Sequence, residues 1–70
     1  MLQTTEQVIN KLKVEFTELR NKIINLETFM LCSDYPCLSY EERNLLEKQR
    51  VSMVEYKDIL LQRLMLLMFL

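Results

Sequence analysis

Tyr35, Tyr40, Arg43 and Arg50 fall within one short stretch, YPCLSYEERNLLEKQR, together with Lys48. Flat phenol rings stack on a base, and a guanidinium fork grips phosphate oxygens. The combination suits a small anionic, nucleotide-type ligand. Glu41 and Glu42 stand in the same stretch and repel phosphate. Contacts to such a ligand must therefore come from the arginines beyond them, or from Lys11 and Lys13 of a neighbouring copy. A solvated helix start with a tyrosine lid is the plainer reading of the same residues.

A second set lies further along. Gln49, Tyr56 and Arg63 are spaced by sevens, so on a helix they form a polar ladder among apolar neighbours. A desolvated arginine needs a carboxylate or an anion. Glu15 or Glu18 is expected to meet Arg63 within the assembly, and ligand contact by Tyr56 and Arg63 is the functional alternative. The candidate ligand-binding residues are thus Tyr35, Tyr40, Arg43, Arg50, Tyr56 and Arg63.

Enzyme chemistry finds little support, and no enzyme is expected. The chain has no histidine for proton transfer or metal binding. Cys32 and Cys37 are five apart, which is not a C-x-x-C spacing, and further zinc ligands are missing. They read as reduced thiols near a turn. No catalytic residue, metal or cofactor is expected. Glu41 and Glu42 are explained by helix capping.

The elements that must position these residues are helices. The 70 residues contain no glycine and one proline, and half are apolar. Such a composition favours helix. The one strong breaker cluster is CSDYPCLS, residues 32–39. One helix is expected from about 5 to 31, a turn near 33–38, and a second helix from about 39 to 68. Thr4 and Gln7 have capping-box spacing, as do Ser39 and Glu42. Ile9, Leu12, Phe16, Leu19, Ile23, Leu26 and Met30 alternate steps of three and four, a coiled-coil-like seam. Val8, Ile24 and Phe29 widen it. The second seam reads Leu46, Gln49, Met53, Tyr56, Leu60, Arg63, Leu67 and Leu70. A short connection makes the helices antiparallel, so the expected fold is an all-α hairpin forming a single domain.

From Leu64 to Leu70 every residue is apolar. A helix apolar on every side is a buried helix. The run falls short of the roughly 20 residues that span a membrane, and Asp58, Gln62 and Arg63 interrupt it. Membrane contact is not expected. Self-association is the economical answer: a homo-oligomeric bundle with Leu60, Leu64, Leu67, Met68 and Leu70 at the interface. With 9 basic against 10 acidic residues, no duplex nucleic-acid partner is expected. The first residues carry no signal-peptide pattern, and a cytoplasmic location follows as the expectation.

The pattern L-S-x-E-E-R-x-L-L-x-x-Q-x-x-x-M-x-x-Y-x-x-I-L-x-x-R, within residues 38–64, resembles short helical-hairpin proteins of crAss-like and other tailed phages. YPCLSYEERNLL also resembles the opening of phage sponge proteins that sequester cyclic nucleotide signals. Those are helical hairpins in symmetric oligomers, and they block defences such as CBASS and Thoeris by holding the messenger between subunits. The resemblance implies the stacking tyrosine at Tyr35 and the basic residue of the following helix at Arg50. It implies a host-cytoplasmic anti-defence sponge that binds its signal without cleaving it. The alternative is a protein-interaction module, an anti-CRISPR-like inhibitor or adaptor of a host protein working through its helical face.

Overall fold

The computed structural model describes residues 4–69. Helix α1 spans Thr5–Met30, a single 3-10 turn spans Tyr35–Cys37, and helix α2 spans Tyr40–Met68. The two long helices pack side by side as an antiparallel hairpin with a long axis of 48 Å.

Local chemistry sets each boundary. The Thr4 hydroxyl accepts from the Gln7 amide, and the Gln7 side chain accepts from the Thr4 amide, which completes the capping box. The Ser39 hydroxyl accepts from the Glu42 amide at 3.1 Å, and Glu41 and Glu42 face the positive end of the α2 dipole. Between the helices, Pro36 opens the 3-10 turn, where its missing amide hydrogen leaves no bond unmade. Amides of Cys37 and Leu38 close back onto the carbonyls of Asp34 and Tyr35.

The core is thin. Leu12 and Ile23 of α1 and Leu60 and Leu64 of α2 are the buried side chains. Val8, Ile9, Phe16, Leu19 and Leu67 pack around the Leu12–Leu60–Leu64 cluster. Every member of the α1 seam, from Ile9 to Met30, is buried or half-buried. The α2 seam differs from the one read above. Leu64 takes the inward position, while Gln49, Tyr56 and Arg63 turn outward. Where α2 is apolar all round, the sequence fits several phases equally. The phase that sets Leu60 and Leu64 against Leu12 buries more apolar surface than one that buries Arg63. Leu60 and Leu64, expected between copies, are therefore used up inside the hairpin. Leu70 lies outside the described residues.

Candidate functional site

Tyr35 stands on the 3-10 turn with its ring edge-on to Phe29, the centroids 6.1 Å apart and the planes at 87°. Its hydroxyl donates to the Arg43 carbonyl at 3.3 Å, which ties the turn to the first turns of α2. Arg43 is half-buried, and its Nε is enclosed without a hydrogen-bond partner. It is the one enclosed side-chain polar atom left without a partner among the described residues. Tyr40 heads α2 close by with its ring 74% exposed. Tyr35, Tyr40 and Arg43 thus come together at the closed end of the hairpin.

Arg50 does not stand free beside them. Its Nη2 and Nε donate to the Glu47 carboxylate at 3.0 and 3.4 Å, a two-pronged pair one helical turn apart. Glu47 and, further off, Glu27 hold the Arg50 proton more firmly than usual. The acid three residues before Arg50 signals this pairing in the sequence.

Tyr56 and Arg63 lie elsewhere. At 1.5 Å per residue, Tyr56 is about 24 Å along α2 from Tyr40, and Arg63 about 30 Å from Arg43. The Tyr56 hydroxyl donates to the Glu15 carboxylate on α1. That bond, with burial and the Glu15 charge behind it, pushes the phenol pKa up, and nearby Arg63 pulls it the other way. Of the two carboxylates expected for Arg63, Glu15 meets Tyr56 instead, and Glu18 forms no ion pair with Arg63 among the described residues. Among the described residues Arg63 makes no ion pair, and it borders a shallow groove with Val8, Leu66 and Leu67. Gln49 faces Met53 on its own helix. The six candidate residues therefore do not form one site: Tyr35, Tyr40 and Arg43 lie at the closed end, Arg50 and Tyr56 along the middle of α2, and Arg63 toward its far end.

Cys32 and Cys37 are both exposed and unbonded to each other, and the Cys37 thiol donates weakly to the Ser33 carbonyl. No group of three or more His, Cys, Asp or Glu side chains is placed to hold a metal ion among the described residues. No described helix is long and apolar enough to cross a membrane.

An all-α hairpin of two long helices around a thin core defines a small helical-hairpin protein. The family model of sequestin matches residues 6–66, and the chain belongs to that family. No curated protein and no solved structure matches it.

Proposed function

We propose that this chain sequesters a small anionic, nucleotide-type signalling molecule and holds it without cleaving it, as an oligomeric sponge acting for a phage against a host defence in the bacterial cytoplasm. The observation that carries the reading is the family match over residues 6–66, because the family's name denotes sequestration. The closed end of the hairpin supplies the chemistry. Tyr40 offers an open face for stacking, and the Tyr35 hydroxyl, bonded to the Arg43 backbone carbonyl, keeps Tyr35 and the arginine at the same end of the hairpin. Arg50 joins such a site only by leaving Glu47.

Sequestration needs binding groups and no acid–base machinery, which agrees with a chain that lacks histidine. A protein-interaction module is the second reading, favoured by the apolar side chains left open on the far end of α2.

Calorimetry against cyclic di- and trinucleotides and cyclic ADP-ribose isomers tests the proposal. One ligand class should give heat that is lost with Tyr35→Ala and with Arg43→Ala. No heat from any member, or full binding by both variants, moves the assignment to the protein-interaction reading.

A further inference from the structure

Glu27 of α1 and Arg50 of α2 line one groove across the two helices, together with Met30, Leu31 and Glu47. Glu27 is near enough to help hold the Arg50 proton. Two carboxylates therefore accompany one arginine on this side of the hairpin.

Seven residues are two helical turns. In an antiparallel pair, a step of seven back along α1 and seven on along α2 repeats the same relation between the helices. The step replaces Glu27 by Arg20, Glu47 by Val54 and Arg50 by Lys57. Two cations now stand where an acid and a base stood, and a half-buried valine takes the place of the second acid. Lys13 lies one more step along α1.

Local partners do not make up the loss. On their own helices, the positions three and four away from Lys13, Arg20 and Lys57 hold no carboxylate. Among the described residues Lys13 and Arg20 make no ion pair, and Lys57 makes a loose one with Asp58 at 3.9 Å. Lys57 is half-buried, so its stem lies over the edge of the helix interface. Like charges facing each other across a helix pair repel and weaken it. A fold keeps such a conflict where function uses it.

We propose that Arg20 and Lys57, with Lys13 beside them, form a binding site for a diphosphate group on one side of a single chain. The Arg20 fork suits two oxygens of one phosphate, and the Lys57 ammonium, a compact point charge, suits the other. Val54 supplies an apolar floor that keeps water back and strengthens both attractions. Arg50, held by Glu47, stays outside the site. Lys57 is about 25 Å along α2 from Tyr40. The site is therefore separate from the closed end, and it needs neither a second copy nor the sequestration reading.

Thermal melting of the full chain at fixed protein concentration and ionic strength, in chloride, pyrophosphate or ADP, tests this. Pyrophosphate at about ten times its fitted Kd should raise the wild-type melting temperature by about 6–11 °C. Arg20→Gln keeps the helix propensity of the position. It should melt about 1–4 °C above wild type in chloride, because the repulsion is gone, and it should lose the pyrophosphate response. Lys22→Gln, an equal change of charge on the other side of α1, should keep that response. An ADP response equal to that of pyrophosphate extends the class to nucleotide diphosphates, and pyrophosphate acting alone restricts it to the free anion; both support the site. A wild-type chain indifferent to pyrophosphate overturns the proposal. So does an Arg20→Gln chain that melts at or below wild type in chloride. A response that survives Arg20→Gln, or that Lys22→Gln removes equally, overturns it too.

Discussion

The Tyr56 hydroxyl reaches across the helix pair to the Glu15 carboxylate, a bond between residues 41 apart in sequence. It is the one side-chain hydrogen bond from α2 to α1 among the described residues, so it fixes how the two helices slide against each other. The rest of the helix–helix contact is apolar and tolerant of small shifts.

That bond makes the phenol resist ionisation. An unfolded tyrosine loses its proton near pH 10, whereas folded Tyr56 holds it to higher pH. The stabilisation is therefore full below about pH 10 and is lost as pH rises through the elevated value. Ultraviolet titration should show a late tyrosine ionisation, and Tyr56→Phe should remove that step. A high-pH titration curve unchanged in shape by Tyr56→Phe would disprove the bond's role.

Leu60 is the most deeply buried side chain, at 0% exposure against Leu12. Leu60→Ala should destabilise the hairpin by about 2–5 kcal/mol, a large share of what so small a chain has available. Leu61→Ala, on the exposed side of the same turn, should leave the core intact. Paired urea melts compare the two, and equal losses would contradict the helix phase described here.

Ser39 caps α2 alone, without a return bond from Glu42 among the hydrogen bonds at this turn. Ser39→Ala should lower stability by about 1 kcal/mol, and Ser39→Asp should restore it. Thermal melting checks both, and an unchanged Ser39→Ala chain would deny the cap its role.

Both thiols are open to solvent. Under native conditions a thiol reagent should titrate two cysteines per chain at rates close to those of the denatured protein. Protection of either thiol would show that another surface covers the turn.

Much of the hairpin was legible in its residues. Thr4, Ser39 and the 32–39 breaker gave the helix limits to within a residue, because capping and proline chemistry are local. The α1 seam was legible too, since polar residues frame it on both sides. The phase of α2 was not. Near its end, apolar residues point in every direction, and only the position of Leu12 on the neighbouring helix decides that Leu64 turns in and Arg63 turns out. Tyr35 and Arg43 could be placed in one cluster from sequence. Tyr56 and Arg63 are separated from it by the length of the unbroken α2, which the expected helix over 39–68 already implied.

The graded separation of paired residues gives the hairpin a direction of closing. Phe29 and Tyr35 meet across six positions of chain, whereas Leu12 and Leu60 meet across forty-eight. Closing a short loop loses less entropy than closing a long one. The helices therefore zip from the turn outward. The packing gradient runs the other way, since the Leu12–Leu60–Leu64 cluster lies toward the open end. Amides beside Leu12 and Leu60 should be the slowest to exchange with solvent, and those of the Tyr35–Cys37 turn among the fastest, so the part that closes first is not the part that holds longest.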